Sequence, residues 1–384
     1  MDFTYTEEQI AVRDMMERFT QKELAPRAAE IDAKSEFPYD IYRKLGELGV
    51  IGMSMPVEVG GSGADFLSFC LAVEELCRAD SLFGPTLTAQ LSACRYIMTF
   101  GNEAQKDKWT DQYIRPILRG EATGATASSE PNRSSFDTNG IQTTAVRDGD
   151  EYVINGNKTW CTSAGLDNNR FVLVWAITDK ENRKIDVLLV PKGTPGYTIG
   201  RKLPKMGMRG SDTRELFFDN CRVPAFNLMK VPDMGRSKEV GSLHYHSRLT
   251  SASNAIGLHR HCLEDSLSWA KDRISWGMPI SQRQLIQGWL AEMATELEIS
   301  RLLRDKCAWL YDRGELTVKD VSMLKYVVAE AAAKAANLAT EIHGGMGFMD
   351  DVPVCRRFRD AKGLTVIQGG TPIHKWLIAQ ELGC

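Results

Sequence analysis

The 384-residue chain has no uninterrupted apolar run near the roughly 18 residues that a membrane-spanning helix needs. It has no lysine or arginine run, and 47 basic residues nearly balance 50 acidic ones. A formal charge of −3 without a basic stripe argues against a nucleic-acid groove. No two cysteines have CxxC spacing. The nine cysteines are odd in number and scattered from Cys70 to Cys384. In a chain this long they read as reduced thiols filling a core in the cytoplasm. The opening MDFTYTEEQ lacks the basic segment and apolar run of a secretion signal. GxGxxG after a strand, GxxxxGK before Ser or Thr, and GxSxG are all missing. Their absence argues against a strand-borne dinucleotide turn, a P-loop and the common serine hydrolase elbow.

What remains is ample for a folded protein. Hydrophobic residues make up 43% and charged residues 25%, enough for a large core. At roughly 150 residues per domain, two or three domains are expected. Thr6 and Gln9 have capping-box spacing before a periodic apolar run, which Pro26 interrupts. Further helices are predicted over 38–48, 66–78 and 86–101, with a Gly- and Pro-rich loop over 55–65. The glycines at 60, 61 and 63 sit in that loop without a preceding strand, so they do not make a phosphate cradle. From about 121 to 231 the texture changes to short β-rich runs at 143–146, 152–154, 171–177, 185–190 and 215–218. No ten-residue amphipathic helix fits between them, which predicts an antiparallel β domain. Beyond about 237 the pattern is helical again, with an Ala-rich stretch over 329–339 suited to close packing.

The histidines are at 244, 246, 259, 261, 343 and 374. His244 and His246, like His259 and His261, are two apart, and on a helix such positions point about 200° apart. Only Asp265 shares a helix face with His261, and two ligands do not make a metal site.

Four separated segments carry the chemical signal. They are Ser128-Ser-Glu-Pro-Asn-Arg-Ser-Ser135, Asn155-Gly-Asn-Lys-Thr-Trp-Cys-Thr162, Arg273-Ile-Ser-Trp-Gly-Met-Pro-Ile280, and Ile342-His-Gly-Gly-Met-Gly-Phe348 followed by Arg357-Phe-Arg-Asp-Ala-Lys362. Their order and spacing resemble the acyl-CoA dehydrogenase family of flavoproteins, from the Thr6-Glu-Glu-Gln9 start to Ile378-Ala379. The resemblance implies an α+β fold: an N-terminal helical domain over 1–120, a central antiparallel β-barrel domain over 121–235, and a C-terminal four-helix bundle over 236–384. It implies FAD between the β domain and the bundle, CoA thioester substrates, an electron-transfer flavoprotein partner and a homotetramer built as a dimer of dimers.

The resemblance also assigns roles. Trp160 would lie against the isoalloxazine; a buried strand tryptophan is the alternative reading. Thr162, two residues on, would share its face of the strand and hydrogen-bond the flavin. Ser129 would contact the pyrimidine edge and Ser135 a phosphate. Arg273 and Ser275 would bind the pyrophosphate of a neighbouring subunit's FAD. Trp276, Gln284, Gly344, Gly345 and Thr371 complete the cofactor set, with a plain helix-breaking turn as the alternative for the glycines. Ser211 would touch the CoA arm. Tyr245 stands where many members have Asp, and Arg248 would lie near the adenine end, with a solvated helix cation as its alternative.

Three departures matter. Six residues after Lys362, where most members carry the catalytic Glu, stands Gln368; a one-residue shift would place Gly369 there. Some members carry the Glu one residue before the helix Arg, where this chain has Ser247. An amide has no useful proton affinity, and a positioned carboxylate contributes roughly 10²–10⁴-fold to proton abstraction. The 134–137 segment carries one inserted residue relative to the family pattern, and Phe83-Gly84 offers no arginine for a dicarboxylic acyl chain. The missing Glu points toward an enoyl-CoA reductase or a dehydrogenase with a displaced base. An elimination of the desulfinase kind and a non-catalytic flavoprotein are the competing readings.

Overall fold

A reciprocal capping box starts the first helix, α1 (Glu7–Phe19). Gln9 N donates to the Thr6 hydroxyl at 3.2 Å, and Thr6 N donates to the Gln9 side chain at 3.0 Å. The computed structural model describes residues 4–132, 140–232 and 243–384. Pro26 changes the helix type without stopping the chain: a π turn (Thr20–Leu24) and a 3-10 turn (Ala25–Arg27) lead into α2 (Ala28–Lys34). Then come α3 (Tyr39–Glu47), α4 (Phe66–Ala79), α5 (Phe83–Phe100), α6 (Glu103–Trp109) and α7 (Arg115–Leu118). The glycine-rich 55–65 segment is a loop holding one 3-10 turn.

The β region contains β1 (Thr123–Ala127), β2 (Thr144–Asp148), β3 (Glu151–Thr162), β4 (Asn169–Asp179), β5 (Lys184–Pro191), β6 (Tyr197–Lys202), β7 (Thr213–Pro224) and β8 (Leu228–Met229). They pair in the order β6-β7-β3-β2-β4-β5-β8, with β1 beside β4. The sheet is antiparallel in most of its pairings, as expected, with two exceptions. β1 runs parallel to β4, and β2 meets β4 in parallel at Thr144 and Ile177. The reason is topological: β4 reverses direction after β3 but docks on β2, whose direction it then shares. Reading β1 and β6 as strands was missed, because Thr123-Gly-Ala-Thr-Ala127 is small and Tyr197-Thr-Ile-Gly-Arg-Lys202 is weakly alternating.

β4 explains its own continuous apolar run. Phe171, Leu173, Trp175 and Ile177 face the helices, while Val172, Val174 and Ala176 face the sheet interior. A strand covered on both faces has no polar side to alternate.

The C-terminal region begins with α8 (Tyr245–Asp272), buried without a break from His246 to His259. A Cβ on Gly257 would lie 2.3 Å from the Glu74 carbonyl oxygen, so glycine lets α8 cross α4 closely. A short hairpin of β9 (Ile274–Ser275) and β10 (Met278–Pro279) leads to α9 (Gln284–Asp312), α10 (Val318–His343), α11 (Pro353–Leu364) and α12 (Thr371–Glu381). α10 packs against α8, α9, α11 and α12. Its Ala332, Ala335, Ala336 and Ala339 are buried, and small side chains let the helix axes approach.

One buried ion pair fixes the entry to the β region. Lys158 on β3 is wholly buried, and its Nζ lies 2.9 Å from Glu130 Oε1. Glu130 also accepts from Gln142 N at 2.8 Å, Thr143 N at 3.0 Å and the Thr143 hydroxyl at 2.7 Å. Burial raises the Glu130 pKa, but Lys158 and these donors outweigh it and hold the carboxyl below its ordinary range. Removing one partner leaves the other buried and charged. Glu130→Gln is therefore expected to lower the unfolding free energy by about 3–5 kcal/mol in urea melts. The double variant Glu130→Gln/Lys158→Met is expected to recover part of that loss; equal losses in both would show the pair to be unimportant.

Candidate functional site

The Glu130–Lys158 pair brings two of the sequence motifs together. Thr159 N donates to Ser129 O at 3.0 Å, and Lys158 Nζ donates to Ser128 O at 3.3 Å. Ser129 is half-buried at this junction. β3 loses register with β7 between Lys158 and Cys161, and both Lys158 and Thr159 turn inward. The following residue, Trp160, has φ +56° and stands 60% exposed. A tryptophan in a left-handed bulge, turned out to solvent, is not core filler, so the buried-strand alternative is excluded. Cys161 is buried and Thr162 half-buried. Ser135 lies outside the described residues.

The 273–284 segment is a separate projection. Arg273 caps α8, donating its N–H to Trp269 O at 2.9 Å, and its side chain is exposed. Trp276 and Gly277 have φ of 53° and 77°, the geometry of a tight two-residue hairpin turn. Trp276 is 92% exposed at its tip. The Arg283 guanidinium donates to Ser275 O at 3.0 Å and holds the hairpin against the start of α9, where Gln284 is exposed. Among the described residues no hydrogen bond joins Arg273, Ser275, Trp276 or Gln284 to the Trp160 face of the same chain.

At the far end of α10, Gly344 has φ +60°, and an added Cβ on Gly344 or Gly345 would meet nothing within 4 Å. Gly344 thus ends the helix by its left-handed backbone, and both glycines face open space. Beside them His343 stacks on Trp269, with ring centroids 5.0 Å apart.

Gln368 sits on the turn between α11 and α12, half-buried, with φ +56°. Its carbonyl oxygen lies 3.2 Å from Nε2 of the wholly buried His374. Lys325 of α10, also buried, donates to Leu364 O at 2.6 Å at the start of the same turn. Arg248 on α8 is only 5% exposed, which excludes the solvated-cation alternative. Burial pushes Arg248 down to about 10, and burial with the Arg248 charge pushes Lys325 down to about 7. Burial, then Arg248 and Lys325, pushes His374 down to about 3, so it is neutral at physiological pH. His244, half-buried one turn before Arg248, is lowered to about 4 by burial and by Arg248. Tyr245 is half-buried and raised by burial. Thr371 donates its hydroxyl to Glu330 Oε1 at 2.5 Å.

Ser211 is buried at the junction of the sheet and the bundle. Its N–H donates to Met208 O at 3.0 Å, and its carbonyl accepts from Lys205 Nζ at 2.5 Å. Met208 N donates to Asp360 Oδ1 of α11 at 2.5 Å, tying this loop to the Arg-Asp-Ala-Lys motif.

Sequence reasoning missed Lys325, His374 and the Glu130–Lys158 pair. Lys325 had a usable signal: it interrupts the apolar stripe of Val321, Leu324 and Val328. Among the described residues no three His, Cys, Asp or Glu side chains converge as a metal site, and His261 pairs with Asp265 at 3.1 Å. Because Trp160 is mostly exposed, Trp160→Ala is expected to change the stability of the cofactor-free chain by no more than about 0.5 kcal/mol. A thermal melt shifted by several degrees would make Trp160 a structural residue instead.

Three family models match consecutive parts of the chain: the acyl-CoA dehydrogenase N-terminal domain over 6–117, the middle domain over 125–221 and the C-terminal domain over 240–383. The chain is 40% identical to the probable acyl-CoA dehydrogenase YngJ of Bacillus subtilis, over the full length of both. It is 36% identical to an acryloyl-CoA reductase (NADH) of Anaerotignum propionicum, covering all of this chain and 96% of that one. The butyryl-CoA dehydrogenase structure from Megasphaera elsdenii superposes with a TM-score of 0.92 at 32% identity, covering both chains fully. With all three domain models in order and full-length relatives on both sides, the chain belongs to the acyl-CoA dehydrogenase family of FAD-containing oxidoreductases that act on CH–CH bonds.

Proposed function

We propose that this enzyme acts at the α,β carbons of a CoA thioester and works chiefly as an enoyl-CoA reductase. The observation that carries the reading is Gln368, an amide on the turn where the family carries its base, together with Ser247 at the alternative position. The acryloyl-CoA reductase relative lends support to this direction.

The residues fit a flavin dinucleotide. Trp160 offers an exposed flat face beside Thr162 and Ser129, and Gly344 and Gly345 leave open space where a dinucleotide needs close approach to backbone. We assign Trp160, Thr162 and Ser129 to the isoalloxazine, and Ser135 to a phosphate. Arg273, Ser275, Trp276 and Gln284 reach the pyrophosphate from a neighbouring subunit, since their hairpin stands away from the Trp160 face of its own chain. Gly344, Gly345 and Thr371 complete the set. FAD, when bound, supplies the hydride exchanged with the β-carbon. Ser211 and Tyr245 contact the thioester. Arg248, buried beside the Gln368 turn, suits the reacting end of the substrate better than its adenine end.

For the proton we favour water over the chain's own groups. His374, His244 and His246 are all held neutral by burial, so they are poor acids at neutral pH. Lys325 Nζ is directed at the Leu364 carbonyl, at the start of the turn rather than at Gln368. Water is the donor we assign to the α-carbon, with the Gln368 amide able to orient it or the thioester oxygen by hydrogen bonding.

Three domains over 1–120, 121–235 and 236–384, a homotetramer, and an electron-transfer flavoprotein as redox partner complete the reading. Trp276 at 92% and Phe348 at 83% exposure are large apolar side chains that a second chain would cover. The free thiols suit a cytoplasmic location.

Gln368→Glu is expected to raise desaturation of a matching acyl-CoA at least tenfold, about 1.4 kcal/mol of barrier, followed by flavin bleaching. Wild-type desaturation of butyryl- or octanoyl-CoA at ordinary dehydrogenase rates, with no gain in the variant, would remove Gln368 from the reacting carbon. Arg273→Ala is expected to weaken FAD retention by about 1.5–3 kcal/mol, the size of one charge-assisted contact. Light scattering at micromolar concentration should give the mass of four chains; a monomer would contradict the cross-subunit role of Arg273.

A further inference from the structure

Along α8, and where it meets α5, lie buried polar groups with no hydrogen-bond partner among the described residues. Ser92 Oγ lies 3.2 Å from His246 Nε2, and a Cβ on Gly84 would fall 2.0 Å from Asn254 Nδ2. The two helices therefore run antiparallel, with 92 opposite 246 and 84 opposite 254. On α8 the hydroxyls of Ser247, Thr250 and Ser253 turn back onto their own helix, donating to the carbonyls of His244, His246 and Leu249 at 2.7, 2.7 and 3.0 Å. Ser251 does not: its hydroxyl is buried without a hydrogen-bond partner among the described residues. Asn254 donates its amide to Ser81 O at 3.1 Å, but among the described residues nothing donates to its buried Oδ1. Buried polar groups are seldom left so, because each carries the desolvation penalty of an unmade hydrogen bond.

Their placement supplies a reason. At 100° per residue, Ser247, Ser251 and Asn254 project within an arc of about 60° on one face of α8. Ser247 stands at one of the two positions where family members carry the base, beside the reacting carbons. The stripe therefore starts at the chemistry and runs away from it, with Ser251 about 6 Å and Asn254 about 10 Å further along the axis. Gly84 leaves room for Asn254 and brings no cation to the end of the stripe. The two unsatisfied groups are neutral. One is a hydroxyl that donates or accepts, and the other is an acceptor only. A substrate hydroxyl satisfies both, donating to Asn254 Oδ1 and accepting from Ser251 Oγ. A carbonyl would leave Oδ1 unmet, and a methyl would leave both unmet.

We propose that Ser251 and Asn254 set the acyl specificity of this enzyme, selecting a thioester whose acyl chain carries a hydroxyl group beyond the reacting carbons. This rests on the reading of the chain as a CoA-thioester enzyme, and its test separates the two. The FAD-loaded protein is titrated with 4-hydroxybutyryl- and 6-hydroxyhexanoyl-CoA and with their methyl isosteres, pentanoyl- and heptanoyl-CoA, and the flavin spectrum gives each Kd. At least one hydroxyacyl thioester is expected to bind ten times or more tighter than its isostere. A site built to hydrogen-bond a hydroxyl discriminates strongly against an analogue that lacks it. Ser251→Ala is expected to bring that ratio within threefold of unity, and Ser251→Val to reverse the preference. Equal or tighter binding of both alkyl thioesters by the wild type overturns the specificity proposal and leaves the enzyme class standing; the wild-type ratios decide this even if a variant fails to hold FAD. No spectral change with any of the four thioesters overturns the reading of Gln368 and α8 as a CoA-thioester site, and the specificity with it.

Discussion

The buried pair of Glu130 and Lys158 is the constraint on which the exposed Trp160 face depends. Lys158 cannot sit in the sheet interior without a carboxylate, and Glu130 at 2.9 Å supplies it from a different segment. That attachment lays 128–130 alongside β3, where Thr159 N reaches Ser129 O. Holding both Lys158 and Thr159 inward takes the strand out of register with β7. The next residue takes a left-handed backbone, and its indole is left outside. The exposed Trp160 is thus a consequence of an ion pair two residues earlier. Charged and hydrogen-bonded groups of this kind fix one arrangement because every alternative leaves a charge buried alone.

The second site element is defined by what surrounds Gln368. Arg248, Lys325 and His374 converge on one turn from α8, α10 and α12, and each is driven toward its neutral form by burial. A glutamate here would have placed an anion among these groups. With an amide in its place the turn keeps its shape, through Lys325 on Leu364 O and His374 on Gln368 O, but loses a proton acceptor. The surroundings favour negative charge more than positive, which suits stabilising an electron-rich thioester oxygen over abstracting a proton. The same helix that carries Arg248 also carries Ser251 and Asn254, so in the proposed site α8 would link the reacting end to the acyl end.

The sequence by itself determined the order of helical, β and helical regions, because periodicity and turn residues are local properties. It determined the capping box at Thr6 and Gln9, and the continuous apolar run of β4. It also determined the family, since four short motifs kept their order and spacing across the chain, and it exposed the absent base at Gln368. Tertiary structure alone decided the rest. Whether Trp160 was core or surface depended on a bulge set by Glu130, 30 residues away in sequence. Whether Arg248 was solvated depended on the helices that fold against α8, α10 among them. The parallel placement of β4 beside β2 followed from which edge was free, which no strand pattern encodes. The convergence of Lys325, His374 and Gln368, and the unmet hydroxyl of Ser251, arise from contacts between distant segments. A residue's sequence neighbours fix its helix or strand, but burial and hydrogen-bond satisfaction are properties of what folds on top of it.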